Sequence, residues 1–317
     1  MLQIKNLKKY FPVRETNVLA NMFSKPSAFN KAVDDVSFSV DRKETIGLVG
    51  ESGCGKTTLG RTVLKLMDAT AGEVLFHDKN VFELNDADLK DFHKKVQIIF
   101  QDPYSSLNPR MKISSIITEG LIIHSEIKKR EIKEKAKELM DLVGLSGELI
   151  DRYPHEFSGG QRQRIGIARA VALQPEYIIC DEPVSSLDVS VQAQIINLLI
   201  DLQKKFNLGY IFISHDLSVV RYISHKIAVM YFGKIVEFCE SGELFNNPLH
   251  PYTKLLLSSV PEKHKLGKAE DEKPAVTDIL GCSFYQRCPE AKPECKEMPQ
   301  ELKDIGGGHK VSCILIK

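Results

Sequence analysis

The chain has 317 residues, of which 43% are hydrophobic, and a formal net charge of +1. That balance fits a globular protein with one large domain, or one domain and an appendage, and it excludes a global basic field that would draw the chain onto nucleic acid. No apolar run reaches the ~20 residues of a membrane-spanning helix, and the opening Met-Leu-Gln-Ile-Lys lacks the apolar core of a secretory signal. The expectation is a cytosolic chain.

Residues 2–7 and 32–40 read as strands, with Ser24-Lys-Pro-Ser27 in the connection between them. Tyr10 and Phe11 follow the first strand. Both suit packing, and either offers a flat face on which a purine can stack. Residues 45–49 form a short apolar run that reads as a buried strand. Next come Gly50, Glu51, Ser52, Gly53, Cys54, Gly55, Lys56, Thr57 and Thr58, which fit the phosphate-loop pattern G-x-x-x-x-G-K-[ST]. The glycines let successive backbone N–H groups face one concavity at a helix start, which suits phosphates. Lys56 is placed to reach the β- and γ-phosphates, and the Thr57 hydroxyl to hold Mg²⁺. Residues 58–67 continue as a helix.

Residues 74–76, 81–82 and 96–100 read as strands joined by polar turns. Gln101 follows directly, at the head of a stretch dense in turn formers that ends at Met111. A glutamine there can bond a metal or a water, or simply end the strand. Residues 112–150 read as helical, with Ile132, Ala136, Leu139 and Met140 at helical spacing over 128–143. This is an insertion, because strand-like runs stop. Ser158, Gly159, Gly160 and Gln161 then open another helix, where free N–H groups make a second anion site or an ordinary serine cap. That site serves the same γ-phosphate only if the chain folds back or a second subunit supplies it.

Residues 177–180 form an apolar strand that ends in Asp181 and Glu182. Burying a carboxylate is costly, so adjacent acids at a buried strand end need a reason. Asp181 suits the Mg²⁺ shell, and Glu182 suits polarising a water. A turn through Asp188 leads into a helix over 189–206 with Ile195, Leu198, Leu199 and Leu202 on one face. Residues 210–213 are a further strand, followed by His215, which can contact a γ-phosphate or serve structurally. Residues 227–231 and 234–238 read as a hairpin around Gly233. A short helix runs from His250 through Val260, and 262–273 is a charged linker.

Taken in order, these parts resemble the ATP-binding subunits of ABC transporters over about residues 1–245. The resemblance implies an α/β fold: a P-loop NTPase core with an antiparallel β subdomain, a helical insertion at about 104–172, and a small Cys-rich C-terminal extension over 246–317. It implies roles as well. Residues 50–58 are the Walker A loop and Gln101 the Q-loop glutamine. Ser158, Gly159, Gly160 and Gln161 are the signature motif. Asp181 is the Walker B aspartate, Glu182 the catalytic base, Asp188 the D-loop aspartate and His215 the switch histidine. Phe11 becomes the adenine-stacking residue, with Tyr10 as the alternative. Thr57, Gln101 and Asp181 surround Mg²⁺. Phe157 and Ser186 depart from the usual Leu and Ala without removing a catalytic group.

The stretch Asp102-Pro-Tyr-Ser-Ser-Leu-Asn-Pro109, the connection before Ala32 and the His250-Pro-Tyr segment resemble the oligopeptide/dipeptide (peptide/nickel) import group, and the loop resembles that of its second ATPase. This implies a heterodimer with a homologous ATPase, two membrane permease subunits and an extracytoplasmic substrate-binding protein, at the cytoplasmic face of the membrane. Peptide is the implied substrate, with nickel and glutathione as alternatives. A non-transport ABC ATPase is the competing class.

Seven cysteines are unevenly spread. Cys54, Cys180 and Cys239 read as packing or loop residues. Cys282, Cys288, Cys295 and Cys313 crowd the tail, which in a cytosolic protein favours metal over disulfides. Their gaps are wider than the usual zinc pairs. Four thiolates suit an iron–sulfur cluster, and the resemblance implies a 4Fe–4S cluster, with zinc as the alternative.

Overall fold

The computed structural model describes residues 1–13, 28–258 and 280–316. The expected connection at 24–27 and charged linker at 262–273 lie outside the described residues. In chain order the first elements are β1 (Leu2–Val13), β2 (Ala28–Val40), β3 (Thr45–Val49), α1 (Lys56–Val63), β4 (Ala71–Phe76) and β5 (Lys79–Asn80). Then come α2 (Asp86–Lys95), β6 (Val96–Ile99), α3 (Ile113–Ile123), α4 (Ile132–Leu142), α5 (Gly159–Val171), β7 (Tyr177–Asp181), α6 (Val189–Phe206) and β8 (Gly209–Ile213). The chain closes with α7 (Leu217–Ile223), β9 (Lys226–Tyr231), β10 (Lys234–Glu240), α8 (Ser241–Asn246), α9 (Pro251–Ser258), α10 (Glu294–Glu297), β11 (Lys303–Asp304) and β12 (Lys310–Val311).

The chain divides into two compact units. The first comprises mainly 40–45 and 83–214. Its strands β6, β7 and β8 run parallel, with Ile99 opposite Cys180 and Asp181 opposite Ile213. Every residue of β7 and β8 is buried. A parallel strand covered on both faces is apolar throughout, so these segments read as continuous runs rather than alternating ones. Helices α3, α4 and α5 fill the insertion between β6 and β7, burying Ile113, Ile116, Ile117, Leu139, Met140, Ile165 and Ile167. Helix α6 starts after Asp188 and stops at Asn207, whose left-handed backbone closes the last turn by an N–H to the Gln203 carbonyl. Ile195, Leu199 and Leu202 are buried as the periodicity requires, together with Ile196 rather than Leu198.

Two readings are corrected here. Val81 and Phe82 form a 3-10 turn, not a strand. The polar segment behind them folds as α2, capped by Asn85 accepting from the Asp88 N–H, with acids in the first turn and bases in the last. Only Phe92 of that helix is buried, so its periodicity is weak.

The second unit comprises 2–39, 46–82 and 215–317. It holds the expected antiparallel sheet, in the order β2-β1-β4-β5. Its other sheet pairs β3 with β9 in parallel, β9 with β10 as the expected hairpin, and β10 with β12, which in turn pairs with β11. The C-terminal segment is therefore stitched into the sheet that begins with β3. Ser312 N–H adds a bond to the Val236 carbonyl at 2.8 Å. Helix α1 ends at Val63, a turn earlier than the expected Met67. Helix α9 is described to Ser258, and the expected last residues 259–260 lie outside the described residues. Among the described residues no helix is long and apolar enough to cross a membrane.

Glu237 on β10 is fully buried and saturated. Its carboxylate accepts from the Leu249 N–H at 2.8 Å and the His250 N–H at 2.9 Å, and lies 2.8 Å from His309 Nε2. It thus pins both the start of α9 and the last hairpin. His250 is buried beside it, and its Nδ1 accepts the Tyr252 N–H at 3.1 Å. Burial lowers its pKa to about 4. The unfolded chain takes up this proton near pH 6.5 and the folded one only near 4, so stability falls as pH drops through that window. His250→Asn should flatten the pH dependence of the urea midpoint between 6.5 and 4. An unchanged slope would show that His250 is not the group responsible.

Candidate functional site

In the second unit, β3 delivers the chain into the loop of residues 50–58. Gly50 has φ 152° and Gly55 has φ 110°, both in the region that favours glycine. A Cβ on Gly50 would collide with the Met230 carbonyl, and one on Gly55 with the Ala32 carbonyl. The loop is therefore folded tightly against β9 and β2. Lys56 is 4% exposed, and its ammonium donates to the Gly50 carbonyl at 2.8 Å and the Glu51 carbonyl at 2.9 Å. A buried cation held on the concave side of a glycine loop, at the start of α1, is the arrangement that receives phosphate. Cys54 is buried in the same turn, and burial raises its thiol pKa.

Glu51 is held from outside the loop. Its N–H donates to Tyr252 Oη at 3.0 Å, and its carboxylate takes both terminal nitrogens of Arg287 at 2.8 and 2.9 Å. The carboxylate also raises the guanidinium pKa. Neither partner was legible as a site residue. They stand 201 and 236 positions away, and no local pattern marks such contacts.

Of the two aromatic candidates, Tyr10 is committed elsewhere. Its Oη donates to Asp34 at 2.5 Å, and burial and that carboxylate raise the phenol pKa. Phe11 is half-buried, with Lys9 Nζ 5.1 Å from its ring centre. His215 is exposed and stands directly before Asp216, which caps α7 by accepting from the Ser218 and Val219 N–H groups.

In the first unit, adjacent parallel strands bring Gln101 and the acid pair together. Gln101 Nε2 donates to Glu182 Oε2 at 3.0 Å. Asp181 closes β7 at 2% exposure. Glu182 then turns out of the strand with φ 46°, and its N–H donates to the Ile213 carbonyl at 3.0 Å. A left-handed glutamate is uncommon and costs about 1–3 kcal/mol, a strain that collects at functional sites. Asp188 stands exposed at the N-cap position of α6 without a side-chain capping bond.

Ser158 caps α5 through a reciprocal box: its Oγ accepts from the Gln161 N–H at 3.4 Å, and Gln161 Oε1 accepts from the Ser158 N–H at 3.0 Å. The serine cap is therefore formed. Ser158 is exposed, Gly159 and Gly160 are half-exposed, and Phe157 anchors the turn at 5% exposure. The stretch after Gln101 is tied to the same helix. Arg169 donates to the Ser106 carbonyl at 2.7 Å, and the Arg162 guanidinium lies 4.0 Å from the Tyr104 ring centre.

The four tail cysteines form no disulfide, and the Cys282 thiol feels the charge of the other three. The Cys282 N–H donates to the Cys295 carbonyl at 2.7 Å. Burial, then the other three thiols, raise the Cys282 pKa to about 11; burial, with neighbouring thiols and Glu290, also raises Cys288 and Cys313. Among the described residues, the group whose ligand atoms lie within 4.8 Å of one another is instead Glu237, Cys239 and His309. The hydrogen bonds already saturating Glu237 account for that trio as a structural knot, and burial pushes the Cys239 thiol up to about 12. Cys180 is fully buried in β7, as expected of a packing residue.

Comparison with known proteins agrees with this geometry. The sequence matches the ABC transporter family over residues 33–185 and the oligopeptide/dipeptide transporter C-terminal region over residues 236–295. It is 51% identical to the oligopeptide transport ATP-binding protein AppF of Bacillus subtilis, covering 99% of this chain and 97% of that one. It is 56% identical to OppF of the same organism over 82% of each chain, and 46% identical to the dipeptide transport ATP-binding protein DppF of Haemophilus influenzae over 100% of this chain and 97% of that one. The fold is that of the ATP-binding cassette MJ0796, solved as a dimer with ADP and Pi, with a TM-score of 0.66 over 76% of this chain and 99% of that one at 24% identity. The chain belongs to the ATP-binding subunits of ABC transporters, in the oligopeptide/dipeptide group.

Proposed function

We propose that this chain hydrolyses ATP to drive peptide import through a membrane ABC transporter. The observation that carries the reading is whole-length similarity to an oligopeptide transport ATP-binding protein. The buried Lys56 and the Gln101–Glu182 pair add support. Residues 1–245 act as the nucleotide-binding domain and 246–317 as its extension.

In this reading residues 50–58 hold the phosphates and Phe11 stacks on adenine. Thr57, Asp181 and Gln101 would hold Mg²⁺, which supplies charge neutralisation at the β- and γ-phosphates. The residues fit that ion: a hydroxyl, a carboxylate at 2% exposure and an amide. Glu182 orients a water in line with the γ-phosphorus. It takes the water's proton as the new P–O bond forms and the bond to the bridging oxygen breaks. The Gln101 hydrogen bond and the Ile213 carbonyl hold Glu182 in place for this. His215 contacts the γ-phosphate. Ser158, Gly159, Gly160 and Gln161, with Asp188, serve the ATP held by a second, homologous ATPase subunit, and that chain's equivalents serve this one. ATP bridges the pair, hydrolysis removes the bridge, and two permease subunits at the cytoplasmic face convert closure into transport. An extracytoplasmic binding protein selects the peptide.

The four tail thiols suit a 4Fe–4S cluster, which would supply a structural cross-link here, with zinc as the alternative.

Glu182→Gln should keep ATP binding while slowing hydrolysis at least about a hundredfold, the typical share of a general base. Phosphate release by the assembled complex measures this, and unchanged turnover would remove Glu182 from the role. Protein purified without oxygen should carry about four iron and four sulfide per chain, both lost in Cys282→Ser. One zinc in their place would contradict the cluster.

A further inference from the structure

The loop of residues 50–58 is held from two sides. From within, Lys56 binds the carbonyls of Gly50 and Glu51. From without, the extension holds Glu51 at both backbone and side chain. Tyr252 lies at the start of α9 and is fully buried. Its ring packs against Tyr231 of β9 at 4.5 Å and Phe284 of the cysteine-bearing segment at 5.4 Å. That rigid cluster aims its Oη at the Glu51 N–H. Arg287 follows Phe284 by one short turn and closes the bidentate pair with Glu51.

An exposed ion pair contributes little. This one is 22% exposed at Arg287 and 35% at Glu51, and it is bidentate, which fixes direction as well as distance. The loop's glycines give its backbone many other conformations, so a phosphate must meet the ordering cost unless something else has already met it.

We propose that Tyr252 and Arg287 are positioning residues for ATP: by holding Glu51 they keep the first turn of the phosphate loop, and the two carbonyls that orient Lys56, in the shape that accepts phosphate. This rests on the ATP-site reading above and makes the C-terminal extension a part of that site. Neither residue touches nucleotide in this account. They act through Glu51.

The test is calorimetric titration of the purified full-length chain with ATP and Mg²⁺, alongside steady-state hydrolysis by the assembled complex. Arg287→Met and Glu51→Gln should each weaken ATP about tenfold, or about 1.4 kcal/mol. The double variant should be no worse than the weaker single, because both break one interaction. Arg287→Lys should recover part of the loss, and Tyr252→Phe should weaken ATP through the lost hydroxyl alone. In the complex the change should fall on KM for ATP with kcat little altered. Unaltered ATP affinity in folded Arg287→Met and Glu51→Gln chains, with only a lowered unfolding midpoint, would reduce the contact to a structural one and overturn the proposal. Additive losses in the double variant would overturn it as well. Lys56→Ala separates the two levels. If it loses ATP while Arg287→Met does not, only the positioning role fails. If it binds ATP as tightly as the unaltered chain, the phosphate-site reading fails first.

Discussion

The close approach of the phosphate loop to two backbone carbonyls constrains everything else in its unit. Gly50 lies against the Met230 carbonyl and Gly55 against that of Ala32, where no side chain fits. That contact requires β9 beside β3 and the β1–β2 arm folded over the loop. The same packing buries Lys56, whose charge must then be met by the loop's own carbonyls or by phosphate. One steric demand therefore fixes the position of the strands and the electrostatics of the site.

The other unit holds the Glu182 carboxylate still. Parallel strands end at one level, so Gln101 after β6 and Glu182 after β7 become neighbours. Glu182 adopts a strained backbone that the Ile213 carbonyl stabilises from β8. Strain borne at a single residue is tolerated because strands β7 and β8 beside it are fully buried.

Legibility in the sequence followed the range of the interaction. Helix α6 was readable because the turn before it and its apolar face are both local signals. The strand ends bearing Gln101, Asp181 and Glu182 were readable because buried parallel strands are uniformly apolar and an acid there stands out. Helix α2 was missed because its sequence is nearly all polar and buries one residue. The two-residue strands β11 and β12 carry no periodicity at all. The bond from the Tyr10 hydroxyl to Asp34 was invisible because its partner lies on another strand. The Glu51 contacts were invisible for the same reason: their partners lie at the far end of the chain, and a lone Arg among cysteines signals nothing by itself.

If ATP hydrolysis by this chain powers peptide movement, the two must be coupled. The most direct measurement reconstitutes the assembled transport complex in liposomes, and follows peptide accumulation and phosphate release together. Coupled transport gives accumulation only with ATP, and phosphate release that rises when the binding protein carries peptide. Phosphate release that is indifferent to peptide, with no accumulation, would contradict it.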